Sequence, residues 1–157
     1  MTQELFTIDS LYIAGFTQAR APHIGLLLAT STTHGTLYHI RIDRETSPHW
    51  QFQRRVQKID KDMFLSALVR VHDATSGAIT DAQLQAAADA VTPPANDTFG
   101  ECAPWVYHVL RHLHEAGVLE VKDEAALAEE VDDFARGSKA YARRDRFPNV
   151  MASDFCH

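Results

Sequence analysis

Cysteine is scarce in this chain: Cys102 and Cys156 are the only two among 157 residues. Two thiols make no disulfide framework, which excludes the small secreted scaffold held together by cross-links. Long apolar runs are missing too, and none approaches the roughly 18 residues of a membrane span. There is no excess of positive charge. The formal net charge is −6 at pH 7, which argues against a nucleic-acid surface. The basic residues gathered in Arg136–Arg146 are preceded and interrupted by acidic ones, as on a solvated helix face. The opening MTQELFTID lacks the basic-then-apolar pattern of a signal segment, and DFCH puts Cys156 in the penultimate position rather than in a prenylation box. A reduced, cytoplasmic protein is the expectation, with no membrane span and no nucleic-acid partner. No internal repeat is visible.

What is present is ordinary globular composition, with 45% hydrophobic and 23% charged residues. That predicts a single domain over 1–157 with its own core. The part from 8 to 72 reads as strands. Leu11–Phe16, His23–Thr30 (apolar on both faces) and Thr36–Ile42 are β-prone, and the Ser31–Gly35 turn cluster joins the last two as a hairpin. His49–Val56 has the alternation of an edge strand, and Ala67–Val71 reads as a further strand. The part from 80 to 145 reads as helices. Thr80 is placed to cap the run DAQLQAAADAV, a second helix runs from Cys102 to about Ala116 with Gly117 as its C-terminal cap, and Asp123–Ala142 has an acidic-then-basic helical pattern. Val118–Val121 is predicted as a short strand. Strands leading and helices following predict an α+β fold with a mainly antiparallel sheet and packed helices.

The stretch Phe99–Leu113 carries the first chemical signal. Trp105, Val106, Val109, Leu110 and Leu113 recur at helical spacing, and Cys102 shares their inward face. Pro104 fits only near a helix start, and Asp97 and Thr98 are upstream candidates for its cap. A thiol in the first turn lies at the positive end of the helix macrodipole, which favours thiolate. The other reading of Cys102 is a buried structural cysteine.

The histidines carry the second signal. A hairpin turning near residues 31 and 32 makes His23 and His39 cross-strand neighbours on one face. One imidazole can then orient the other, and a cysteine nucleophile needs such an oriented base. Taken singly, each is more readily a strand-end histidine in solvent or in unremarkable hydrogen bonds. His108 and His112 stand four apart on one helix face, a metal-ligand spacing, but no metalloprotease glutamate lies between them and their face is opposite the apolar stripe; a solvated face is expected. His34 falls in the turn, and Cys156 with His157 is assigned no chemical role.

The order His, His, then Cys at a helix start resembles the circularly permuted branch of the papain-like NlpC superfamily, which includes lecithin:retinol acyltransferase and the H-Ras-like phospholipase/acyltransferases. HIGLLLA matches the first strand of that branch, LYHI the paired strand with its second His, and CAPWV the nucleophile followed by an aromatic-Val step. The layout is also similar to that of small fungal proteins. The resemblance spans roughly His23–Leu113, with gaps. It implies a permuted papain-like fold in which Cys102 is the nucleophile, His23 its base and His39 the residue that orients His23. The Cys102 backbone N–H would contribute to an oxyanion hole, and chemistry would run through a thioester. It implies no cofactor and no metal. The acyltransferases have Asn before the nucleophile, whereas Glu101 stands here, and a carboxylate beside a thiol raises its pKa. Without a span, a soluble amide, ester or peptide-like substrate is expected, so the partner is a small molecule or peptide. The competing function is a catalytically inactive papain-like scaffold, serving as a binding or accessory protein.

Overall fold

The computed structural model describes residues 2–157, with side chains from Glu4 onward. Six strands, β1 (Leu11–Phe16), β2 (His23–Ala29), β3 (His34–Arg41), β4 (Gln51–Lys58), β5 (Leu65–His72) and β6 (Asn149–Ala152), form one sheet. Its order is β4-β3-β2-β1-β5-β6. Every neighbouring pair is antiparallel except β5 with β6, which is parallel. Three helices follow β5: α1 (Asp81–Asp89), α2 (Cys102–Glu115) and α3 (Glu124–Gly137). The fold is α+β with a mostly antiparallel sheet.

The period of two along each strand sorts the side chains between two apolar layers. Leu11, Ile13, Ile24, Leu26, Tyr38, Ile40, Val69 and Val71 face the helices and pack with Trp105, Val106, Val109, Leu110, Leu127 and Val131. Tyr12, Ala14, Phe16, Leu27, Leu37 and Leu68 face the other way, under Phe6, Ile59 and Val150 with Phe147 beside them. Covering on both faces explains why β1 and β2 are apolar without alternation. Each fully buried aliphatic side chain contributes about 1.5–3 kcal/mol, so the stripe on α2 is enough to fix that helix against β2 and β3. On the edge, β4 carries Arg54, Arg55 and Lys58, charges that discourage further strand pairing.

Helix ends follow local chemistry. Thr80 caps α1 through a reciprocal bond pair with Gln83. At the end of α2, Gly117 adopts φ 74°; its N–H donates to His114 O and that of Val118 to Leu113 O, both at 3.0 Å. This double bond pattern needs a residue in the left-handed region, and glycine takes it without strain.

Two expectations change, and one strand was not foreseen. The third helix stops at Gly137 rather than running to Ala142: Ser138 Oγ donates back to Phe134 O at 2.7 Å, and a single 3-10 turn, Lys139–Tyr141, follows. Val118–Val121 is no strand but supplies one isolated bridge, Val121 to Cys156. The C-terminal residues hold it, with Glu120 and His157 exchanging backbone bonds of 2.7 and 2.9 Å. Finally, β6 was not legible: NVMA is only four residues long and carries no alternation to betray it.

Candidate active site

The site begins where two strands part. The β2–β3 ladder runs from Ala29↔Gly35 to Leu26↔Tyr38. Beyond it, β2 stays paired to β1 as far as His23↔Phe16, and β3 stays paired to β4 as far as Arg41↔Gln51. Extending the register sets Gly25 across from His39 and His23 one diagonal step away, on the same face. The two rings bridge the gap: His23 Nε2 and His39 Nδ1 are 2.8 Å apart, and the ring planes stand at 70°. Gly25 makes this possible. A Cβ there would sit 2.8 Å from His39 Cβ and 3.0 Å from Leu37 Cδ1, closer than a side chain tolerates.

The imidazoles do not face the helix. Odd residues of β2 and β3 point to the layer of Leu27 and Leu37, away from the one that packs on α2. Phe16 flanks His23 there, with ring centroids 6.0 Å apart.

A third side chain, not foreseen in the sequence, sets the protons. Gln53 lies opposite His39 on β4, and its Oε1 is 2.8 Å from His39 Nε2. A carbonyl oxygen only accepts, so His39 carries its proton on Nε2 and leaves Nδ1 as a lone pair. That lone pair accepts the N–H of His23 Nε2. The free lone pair of the chain is therefore His23 Nδ1, the atom available as a base. Both rings are held neutral, with pKa values lowered to about 4. Burial is the main cause for each. The Arg55 guanidinium adds to it at His23. At His39 the Gln53 bond opposes the fall, while the charges of His23, Arg55 and Arg41 deepen it.

Cys102 opens α2 from the other side of the sheet, 7% exposed. Neither predicted cap serves the helix: Asp97 pairs with Arg44 at 3.7 Å, and Thr98 is tied by its backbone, its N–H donating to Asn96 Oδ1 and its carbonyl accepting from Trp50 Nε1. Glu101 precedes the helix with helical backbone angles and no side-chain cap. The first-turn amides are therefore uncapped, and Pro104 has none to offer. Those of Cys102 and Ala103 approach the sulfur, and so does that of Ile24. The Ile24 contact follows from strand geometry. Asp9 N–H donates to Ala29 O and Ala29 N–H to Ser10 O, so odd residues of β2 aim their backbone groups at β1 and even residues at β3. The Ile24 amide thus points into the gap that β3 has left, from where it opposes the rise of the Cys102 thiol pKa. The thiol is thus influenced by the backbone next to His23, although among the described residues it forms no hydrogen bond with either imidazole.

The thiol is not acidic at rest, contrary to the expectation of a depressed pKa. Burial raises it above the ordinary value, the three amides oppose that rise, and Glu101 reinforces it. Desolvation outweighs the helix start. Cys156 is worse placed. Burial and the carboxylates of Glu130 and Glu120 push it up to about 12. His108 and His112 are exposed on α2. Among the described residues no three His, Cys, Asp or Glu side chains gather as a metal-holding cluster, and no helix is long and apolar enough to cross a membrane.

Compared with known proteins, the chain matches no family model, no curated protein and no solved structure.

Proposed function

We propose that the chain is a cysteine-dependent hydrolase or acyltransferase of permuted papain-like type, acting through a thioester on a soluble amide, ester or peptide-like substrate. The observation that carries the reading is the relay Gln53–His39–His23, which ends on a free Nδ1 in the residue next to the amide that meets the Cys102 sulfur. Hydrogen-bonded orientation of a base by a third group is what thiol catalysis requires.

The steps follow from the groups present. Through the opening where β3 leaves β2, His23 Nδ1 accepts the thiol proton as the Cys102 sulfur adds to the substrate carbonyl carbon, and the carbonyl electron pair moves to oxygen. The amides of Cys102 and Ala103, uncapped at the start of α2, are the donors for that oxyanion. Collapse breaks the bond to the leaving amine, alkoxide or thiolate, which departs with the proton held by His23. A water, amine or hydroxyl acceptor then attacks the thioester, again deprotonated by His23, and the thiol is regenerated. Starting from two neutral partners, thiol and imidazole, the proton moves during attack rather than before it.

A second reading has its own support. The raised thiol pKa and the Glu101 carboxylate beside it favour an inactive scaffold that serves as a binding or accessory protein. Alkylation separates the two. With iodoacetamide on folded protein at neutral pH, the catalytic reading expects Cys102 to react at least about tenfold faster than Cys156, and His23→Ala to slow Cys102 alone. Peptide mass spectrometry gives both rates. Equal rates, or a Cys102 rate indifferent to His23→Ala, would favour the scaffold.

A further inference from the structure

The side chains around the relay carry charge that the catalytic steps do not use. On β4, the adjacent Arg54 and Arg55 point to opposite faces. Arg54 is satisfied: its Nε and Nη2 donate to Asp81 Oδ1 at 3.0 and 2.9 Å. Arg55 lies on the relay face, one diagonal step from His39, and among the described residues no carboxylate is within ion-pair distance of it. Its one hydrogen bond is a long 3.5 Å contact to Val56 O. The nearest acidic influence, Asp62, is already occupied, accepting from Gln57 Nε2 and from the N–H groups of Phe64 and Leu65. Arg41 shares the same face, two residues along β3 from His39, and holds Asp43 in a single half-exposed contact at 3.3 Å. In a chain of net charge −6, two guanidiniums flank one histidine pair.

We infer that the acyl substrate carries an oxyanion, a carboxylate or a phosphate, which binds between Arg55 and Arg41 beside His39. The inference rests on the acyl-transfer reading and names its substrate class. Strand geometry places both arginine Cα atoms roughly 7 Å from that of His39, within reach of an arginine side chain folded back over the sheet. A guanidinium presents a planar fork of donors that matches carboxylate or phosphate. The anion would thus lie a few bonds from the scissile carbonyl, on the side of His39 away from Cys102. Neutral esters would lack this anchor and be poor substrates.

The test separates binding from catalysis by using Cys102→Ala, which has no nucleophile. The His23 and His39 imidazole resonances are followed by NMR at constant ionic strength while inorganic phosphate, N-acetylglycine or the neutral N-acetylglycinamide is added. An anion between the arginines offsets the charge that depresses both rings. The expected result is a saturable response to at least one anion, with the apparent imidazole pKa raised by about one unit, and none to the amide. Arg55→Gln should weaken the response by at least about tenfold. A response to phosphate alone, or to the carboxylate alone, supports the inference and identifies the group. Absence of saturation with both anions overturns it, as does an unchanged response in Arg55→Gln. Anion binding in a protein whose Cys102 never acylates would leave this site standing and remove the acyl-transfer reading by itself.

Discussion

Cys102→Ala is expected to lower acyl transfer by a factor of about 10³ or more while leaving the fold in place. The thiol lies at the first turn of α2, so its removal deletes little apolar volume and the stability loss is about 1 kcal/mol. His23→Ala should be nearly as severe, because nucleophile and base act as a unit and their effects do not add. His39→Ala should cost less, about 10- to 100-fold, since His39 presents the base rather than carrying its proton. Gln53→Leu should fall in the same range, because without the Oε1 acceptor His39 is free to place its proton on Nδ1 and stop accepting from His23. The ordering Cys102 ≈ His23 > His39 ≈ Gln53 is the signature of a relay. It is read from steady-state turnover of carboxylate-bearing nitrophenyl esters and thioesters, with circular dichroism confirming each fold. Four variants that fold and retain full turnover would remove the relay from the mechanism.

The same pair makes stability depend on acid. Both imidazoles are neutral in the folded chain with pKa values near 4, whereas an unfolded histidine titrates near 6.5. Below that value the unfolded chain binds more protons than the folded one, so stability rises with pH across this window. It is fully present above about pH 6.5 and is lost as pH falls toward 4. Two coupled rings make the expected loss a few kcal/mol. Urea unfolding between pH 7 and pH 4.5 measures it above the range where lowered carboxylates such as Asp73 and Asp145 begin to titrate. The double variant His23→Gln with His39→Gln should show a much flatter profile. A wild-type profile as flat as that of the variant would mean that the rings are not held neutral by burial. In the proposed mechanism the neutral pair would also set the acid limb of catalysis, with an apparent pKa near 4 rather than between 6 and 7.

Most of the architecture was legible from short-range signals. Apolar runs and the Ser31–Gly35 turn located β1 to β3, and Thr80 and Gly117 marked ends of helices. That His23 and His39 share a face and meet was legible because a hairpin ties register to turn position, but the ladder runs two residues off the expected register, so His39 lies across from Gly25 and His23 is its diagonal neighbour. Gln53 was not, because a long loop joins β3 to β4 and leaves their register open in sequence. The position of Cys102 was half legible. Helical spacing gave its inward face, but the influence of the Ile24 amide depends on β2 and β3 separating beyond Leu26 and Tyr38, a tertiary feature without a local signature. Burial of the thiol was the reading that helix position alone got wrong: the macrodipole argument holds for an exposed first turn, whereas Cys102 is packed with Trp105 and Val106. Long-range pairing also explains why Val118–Val121 was read as a strand and β6 was missed: Val121 meets only Cys156, and β6 is held by the distant β5.

The most direct measurement is the site of covalent attachment. Folded protein is mixed with a small carboxylate-bearing thioester, quenched in acid within the first turnover and mapped by peptide mass spectrometry. The account predicts one acyl group on Cys102, released by hydroxylamine as a thioester must be, and absent from His23→Ala at the same time point. Acylation spread equally over Cys102 and Cys156, or a Cys102 adduct that forms as fast without His23, would contradict it.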